Sequence, residues 1–138
     1  MRAILATAAL TALTLPALAG PATDLARARI EAIARGDTPA LIAAYGDKAQ
    51  LHWIGGPLDG AYAGAGQLQT AWSKFATAQA KQTAAIANIS EAMNPKGATV
   101  TADVTFNGKN TVKVRYILVY RDGKLADEIW QVHPNAAY

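Results

Sequence analysis

The sequence contains no cysteine, so it can form neither a disulfide framework nor a thiolate metal site. Its two histidines, His52 and His133, do not fall within a recognisable metal-binding motif. Basic residues outnumber acidic residues by only 13 to 10, and they are scattered along the chain. We therefore expect no nucleic acid partner, no metal and no cofactor, and a domain that is stabilised by packing.

The first 19 residues have the pattern of a secretory signal peptide. Arg2 is their single charge, the apolar stretch Ala3–Leu15 is interrupted only by threonines, and Pro16 precedes the small-residue motif Ala17-Leu18-Ala19. This order predicts cleavage after Ala19 and export, either to a periplasm or out of the cell. An uncleaved anchor is the alternative, but the apolar stretch is shorter than the roughly 20 residues that a spanning helix needs.

Residues 20–138 have the length of one domain, and their first part predicts helices. Thr23 or Asp24 can cap a first helix that Gly36 ends, and Thr38 can cap a second helix. A third helix is predicted from side chains that share one helical face, namely Leu68, Trp72, Phe75 and Gln79.

Strand patterns account for most of the remaining chain. Ala49–Ile54 reads as a strand, and the glycine-rich stretch Gly55–Gly66 is predicted to be a loop that lacks a phosphate-binding motif. From about Thr83 the apolar period changes to two, and Asn107-Gly108 and Asp122-Gly123 predict tight hairpin turns. Helices followed by an antiparallel meander predict an α+β fold.

The two tight turns set the expected register of the last three strands. If each turn has two residues, Val104 lies opposite Thr111 and Ile117 lies opposite Glu128. One face is then expected to carry Val100, Ala102, Val104, Phe106, Lys113, Arg115, Ile117, Val119, Glu128, Trp130 and Val132. The other face is expected to carry Val112, Val114, Tyr116, Leu118 and Tyr120, flanked by Asp103, Asp127, Ile129, Gln131 and His133.

Four short segments carry a resemblance that covers nearly all of residues 20–138. They are Ala34–Asp37 and Ala40–Tyr45 around the second helix, the loop Gly60–Gly64, and the closing run Tyr120–Leu125. In order and spacing the chain resembles the nuclear transport factor 2-like superfamily. The resemblance implies a cone in which a curved antiparallel sheet packs on three N-terminal helices and leaves a pocket at the wide end.

By this resemblance, the face that carries Arg115 and Glu128 is the concave one. The opposite face would be exposed and half apolar, which suits the sheet-to-sheet homodimers that are common in the superfamily. We therefore expect a possible homodimer through Val112, Val114, Tyr116, Leu118 and Tyr120.

The resemblance includes ketosteroid isomerase, but the acid and base residues of that enzyme have no counterpart here. Arg29 aligns with its tyrosine, Trp53 with its general base and Ile117 with its protonated aspartate. None of these three side chains can take over the role that it replaces. Steroid-type isomerisation is therefore not expected.

SnoaL-like polyketide cyclases often have a histidine and an aspartate around a tryptophan in the last strand. Glu128 and Trp130 occupy those positions here, or Ile129 and Gln131 if the strand has a one-residue bulge. Glu128 is the best remaining candidate for a general base in a lyase, cyclase or isomerase. The alternative is that Glu128 pairs with Arg115 or Arg29, because buried charges are normally compensated.

Three functional hypotheses remain open. The first is a domain that binds a small aromatic or acidic molecule, with aromatic walls around its body and arginine at its acid group. The second is catalysis by Glu128, and the third is a dimerisation module whose interior is filled by side chains. The predicted pocket residues are Arg29, Trp53, Phe106, Arg115, Ile117, Glu128 and Trp130.

Overall fold

The computed structural model describes residues 20–138; the predicted signal peptide, residues 1–19, lies outside this range. The helices are α1 (Pro21–Arg35), α2 (Thr38–Ala43) and α3 (Ala65–Gln79). The strands are β1 (Gln50–Ile54), β2 (Gly60–Ala63), β3 (Thr83–Asn94), β4 (Gly97–Asn107), β5 (Thr111–Arg121) and β6 (Lys124–Val132). The α+β fold class is confirmed.

The helix ends differ from the predictions at two of three points. Gly36 ends α1 in the left-handed conformation, with φ 68°, as predicted. The N-terminal cap of α1, however, comes from a strand: Glu91 Oε1 in β3 accepts a hydrogen bond from the backbone N–H of Thr23 at 3.0 Å. Asp37 rather than Thr38 caps α2, where Asp37 Oδ1 accepts from the backbone N–H of Ala40 at 3.2 Å.

The six strands form one sheet in the order β2-β1-β6-β5-β4-β3. The sheet is mixed rather than purely antiparallel, because β1 pairs with β6 in parallel while every other pairing is antiparallel. The prediction also missed β2, which lies inside the expected loop and pairs with β1. Its glycines and alanines give no strand pattern, so only the pairing reveals it.

The predicted register of β5 is wrong on both sides. The turn after β4 has three residues, so Asn107 pairs with Thr111. The buried amide of Gln79 in α3 holds this turn, because Gln79 Nε2 donates to the Asn110 carbonyl at 2.9 Å. In β6 the pairing shifts by one residue at Ala126. There the neighbouring Leu125 is held by backbone hydrogen bonds to Ala44 and Gly46.

The observed register differs from the predicted one by three residues between β4 and β5 and by one residue between β5 and β6, and an odd shift turns every side chain of a strand to the other face. Val112, Val114, Tyr116, Leu118 and Tyr120 consequently point toward the helices; Val112 is half-buried and the other four are buried. Arg115 and Ile117 lie on the outer face instead. The face that we expected to form a homodimer is thus the core side of β5, and Arg115 and Ile117, two of the expected pocket residues, point away from the interior.

The core lies between the inner sheet face, α1 and α3. Ile30 and Ile33 of α1 and Leu68 and Trp72 of α3 are buried against the strands. Within residues 20–138, no helix has the length and apolar character needed to span a membrane.

Candidate functional site

A buried ion pair lies in the interior between α1 and β6. Glu128 is fully buried, and its carboxylate faces the guanidinium of Arg29. Arg29 Nε donates to Glu128 Oε2 at 3.0 Å and Arg29 Nη2 donates to Glu128 Oε1 at 3.2 Å. This two-point contact is the strong form of an arginine–carboxylate pair. The predicted pairing of Glu128 with Arg29 is therefore observed, while Arg115 contacts Asp103 on the outer face.

Two tyrosines complete the surroundings of the carboxylate. The Tyr116 hydroxyl donates to Glu128 Oε2 at 2.5 Å, and the Tyr45 hydroxyl donates to Glu128 Oε1. Trp72 Nε1 in turn donates to the Tyr45 hydroxyl at 2.8 Å. Arg29, Tyr45, Trp72, Tyr116 and Glu128 are referred to below as the polar network.

The electrostatics of the polar network fix its protonation. Burial raises the pKa of Tyr116 and of Tyr45, and the nearby Glu128 carboxylate raises both further. Burial alone lowers the pKa of Arg29, but the charge of Glu128, the two tyrosines and the hydrogen bond to Glu128 together hold that pKa well above its ordinary value. At neutral pH both tyrosines are hydrogen-bond donors and Arg29 is charged, so four donors hold the two oxygens of Glu128.

An aromatic layer lies beside the polar network. Its ring centroids are 4.9 Å apart for Trp53 and Trp130, 5.1 Å for Phe106 and Trp130, and 5.3 Å for Phe75 and Trp130. The Tyr116 ring contacts Trp130 at 5.2 Å and so joins the layer to the polar network. Phe106 and Trp130 have no exposed surface. They fill the interior rather than form the walls of an open pocket.

An open cleft lies on the other side of the aromatic layer, at the end of the sheet where β1 and β6 finish and β5 begins. Its volume is about 350 Å³. Trp53 and Phe75 are buried side chains that line it, and the rest of the lining is largely apolar. The complete lining is Trp53, Gly56, Pro57, Leu58, Lys74, Phe75, Ala78, Gln79, Asn110, Val112 and Val132. We call this site the end cleft.

The predicted pocket residues thus fall into four places. Trp53 lines the end cleft, Phe106 and Trp130 lie behind it in the aromatic layer, Arg29 and Glu128 belong to the polar network, and Arg115 and Ile117 lie on the outer face.

Sequence reasoning missed Tyr45, Tyr116 and the α3 residues of the end cleft. Tyr116 could have been found from the composition of β5, because its alternate positions are uncharged while the intervening positions include Lys113 and Arg115. Burying the uncharged positions that include Tyr116 costs less free energy than burying these charges.

The outer face has its own polar contacts. Asp103 is buried there, and its Oδ1 accepts from Arg115 Nε at 2.6 Å while its Oδ2 accepts from Asn88 Nδ2 at 2.9 Å. Burial alone raises the pKa of Asp103, but these hydrogen bonds and the Arg115 charge lower it below its ordinary value. No group of three potential metal ligands occurs among residues 20–138.

No protein-family model and no curated protein matches the sequence. Solved structures are similar. A Xanthomonas campestris protein named as an association domain of calcium/calmodulin-dependent protein kinase II has a TM-score of 0.71 and 21% identity, over 96% of this chain and 100% of that chain. A nuclear transport factor 2-like protein of unknown function from Pseudomonas putida has a TM-score of 0.66 and 16% identity, over 78% of this chain and 81% of its own.

A ketosteroid isomerase-like protein from Erwinia carotovora has a TM-score of 0.62 and 20% identity, over 79% of this chain and 91% of its own. At these identities the likeness concerns the fold. The chain has the nuclear transport factor 2-like fold, as the sequence resemblance implied. The named activities belong to the other proteins.

Proposed function

We propose that this domain binds a small, largely apolar molecule in the end cleft without changing it chemically. The observation that carries the proposal is an open cavity of about 350 Å³ whose lining includes the indole of Trp53 and the ring of Phe75. This volume is within the range of small-molecule sites, and apolar walls supply most of the affinity in such sites. The cleft also lies at the end of the sheet, next to strand ends and a connecting loop.

Catalysis by Glu128 is the weaker reading. A general base needs a free lone pair within reach of the substrate, but both oxygens of Glu128 accept hydrogen bonds from Arg29 and the tyrosines. The buried ring of Trp130 also lies between Tyr116, which binds Glu128, and Trp53 at the end cleft. These observations favour binding over proton transfer.

The proposal is tested by filling the end cleft. Cinnamyl alcohol is a neutral probe of suitable size, and its binding can be followed by ligand-detected NMR and calorimetry. Ala78→Trp places a large ring in the cleft, whereas Thr77→Trp places the same ring on the adjacent, exposed position of α3, outside the lining. We expect the probe to bind the unmodified protein and the Thr77 variant but not the Ala78 variant. Equal binding by both variants, or no binding at all, would refute the proposal.

We also propose that the protein is exported and cleaved after Ala19. Support comes from the order of charged, apolar and small residues in the first 19 residues. Expression of the full chain in a bacterial host with an active secretion pathway should give a periplasmic product that begins at Gly20 by intact mass. A product that retains residues 1–19 would contradict this proposal.

Self-association remains a proposal, but its surface changes. The apolar side chains of β5 and β6 on the outer sheet face are Ile117, Val119 and Ile129, and each is only half-buried. We propose that this outer face, rather than the inward side of β5, is the interface of a homodimer. The similar Xanthomonas campestris structure is named as an association domain, which agrees with a role in assembly.

A further inference from the structure

The segments that form the end cleft contain almost no acidic residues. The stretch Gly60–Ser90, which includes α3, has no aspartate or glutamate, and the stretch Val104–Arg121 has none either. Lys74 is the single charged residue in the lining of the cleft. The charges of these two stretches are therefore exclusively positive, which favours a positive potential on their side of the entrance.

The acidic residue in the β1–β2 connection is bound by the backbone of its own loop. Asp59 lies next to Leu58 but is not part of the lining, and its Oδ1 accepts a hydrogen bond from the backbone N–H of Gly55 at 2.7 Å. Lys109, by contrast, lies in the turn that Gln79 binds, since its backbone N–H donates to the Gln79 carbonyl at 2.9 Å. Lys109 is thus next in sequence to the lining residue Asn110, although it is not itself part of the lining.

The polar atoms of Gln79 are already engaged. Gln79 Nε2 donates to the Asn110 carbonyl at 2.9 Å and to Gln82 Oε1 at 3.1 Å, and Gln79 Oε1 accepts from the Asn110 backbone N–H at 3.2 Å. The buried amide thus stabilises the turn and offers no donor to a ligand. Lys74 is exposed on α3, and a lysine ammonium offers three hydrogen-bond donors.

We propose that the ligand of the end cleft is an amphipathic carboxylate. Its apolar body lies against Trp53 and Phe75, and its carboxylate lies at the rim beside the Lys74 ammonium. This inference rests on the proposed binding function and adds the charge of the ligand to it. From the sequence we expected an arginine to bind the acid group of the ligand. Lys74 takes that place in the proposal, because Arg29 is paired with Glu128 in the polar network and Arg115 lies on the outer face.

The test compares two probes that differ only in charge. Cinnamate and cinnamamide have the same apolar body and nearly the same size, and calorimetry at low and high salt gives the dissociation constant of each. We expect the unmodified protein to prefer cinnamate by roughly fivefold, the selectivity that an exposed ion contact supplies, and salt to reduce that preference. Lys74→Gln should abolish the preference and Lys74→Glu should reverse it. Lys81→Gln, which removes an exposed lysine outside the lining, is the matched control and should leave it unchanged.

The outcomes separate this inference from the function on which it rests. If cinnamate and cinnamamide bind equally well, the end cleft is a binding site but its ligand is not selected by charge, so the inference is overturned and the proposed function stands. If the preference for cinnamate survives Lys74→Gln, Lys74 is not the anchor and the inference is likewise overturned. If neither compound binds and cinnamyl alcohol also fails to bind, both proposals are overturned.

Discussion

Glu128 and Arg29 illustrate at the scale of single residues why a charged pair in the interior need not be catalytic. The two side chains are nearly or fully buried, at 0% and 3% exposure, and they bind one another at two points. Taking two charges out of water costs several kcal/mol per ion, which their mutual attraction and the hydrogen bonds of Tyr45 and Tyr116 must offset. The pair is therefore expected to matter for stability and for the uniqueness of the core.

Removing one charge of this pair should be strongly destabilising. Glu128→Gln leaves the Arg29 guanidinium buried without a counter-charge, and we expect the free energy of unfolding to fall by about 3–5 kcal/mol. Urea denaturation followed by tryptophan fluorescence measures the loss. The double variant Arg29→Met with Glu128→Leu removes both charges and should lose less than Glu128→Gln alone. A Glu128→Gln variant of unchanged stability would contradict the structural role that we assign to the pair.

Asp103 provides a second test at the residue scale, through pH. Its folded-state pKa lies below its ordinary value because Asn88 and Arg115 bind the carboxylate against the opposing effect of burial, and the nearby His133 lowers it further. Because its pKa is lower in the folded state, the ionised Asp103 carboxylate stabilises the protein above the unfolded pKa of about 3.9. This stabilisation is lost as the pH falls through the folded pKa.

The difference in unfolding free energy between the unmodified protein and Asp103→Asn should therefore be largest near neutral pH and shrink below pH about 4. Urea midpoints measured across that range give the difference. Arg115→Met removes the main cation beside Asp103, so the pH dependence should be weaker in this background. A difference that stays constant with pH would refute the assignment.

At the scale of elements, the N-terminus of α1 is capped by Glu91, a residue of β3 that is distant in sequence. The Glu91 carboxylate accepts from the Thr23 backbone N–H and also lies directly against Gly20, where an added Cβ would come within 1.6 Å of Glu91 Oε2. A carboxylate in this position satisfies a free N–H group and interacts favourably with the positive end of the helix dipole.

Glu91→Ala should consequently cost about 1 kcal/mol of stability, the usual loss for removing an N-terminal cap. Glu91→Gln retains an oxygen acceptor and should cost less, because it loses only the charge. The matched control is Glu31→Ala, since Glu31 is an exposed carboxylate on the same helix. Thermal and urea unfolding of the three variants provide the comparison, and equal losses for Glu91→Ala and Glu31→Ala would argue against the cap.

Local sequence patterns predicted the elements better than their register. Gly36 ends α1 because a local left-handed turn is a property of glycine itself. The register of β5, in contrast, depends on Gln79 from α3 and on Ala44 and Gly46 after α2, which hold the residues beside the two turns. Such long-range contacts leave no local pattern. The predicted two-residue turn at Asp122-Gly123 is observed, but the shift at Ala126 was missed and the two-residue turn at Asn107-Gly108 was wrong.

The same error explains which site residues could be predicted. Trp53, Phe106, Glu128 and Trp130 were placed inside because their own strands had the correct parity, and Arg29 was placed inside by resemblance. Arg115 and Ile117 were misplaced with the rest of β5. The end cleft could not be predicted from strand parity, because α3 and two connecting segments contribute most of its lining.

At the scale of the whole molecule, different parts of β5 contribute to three different regions of the structure. The inward side of β5 belongs to the core and to the polar network, the first residues of β5 reach the end cleft, and the outer side of β5 faces solvent. The proposed ligand site and the proposed dimer interface therefore consist of different residues, so a substitution in one should leave the other intact.

The proposed homodimer gives the test of this separation. Ile117, Val119 and Ile129 lie together on the outer face, since Ile117 pairs with Ile129 across β5 and β6. A lysine introduced among them would have to lose its water in the interface without a counter-charge. Ile117→Lys should therefore raise the dimer dissociation constant by more than about tenfold, as measured by sedimentation equilibrium.

Met93→Lys is the matched control, because Met93 is 63% exposed but lies next to the β3–β4 turn, away from the centre of the outer face. It should leave the dimer unchanged. Binding of cinnamyl alcohol in the end cleft should survive Ile117→Lys, because Ile117 points away from the cleft. A protein that is strictly monomeric at high concentration would exclude self-association. A dimer that tolerates Ile117→Lys but not Met93→Lys would place the interface elsewhere, since only an interface on the outer face makes a lysine at position 117 unfavourable.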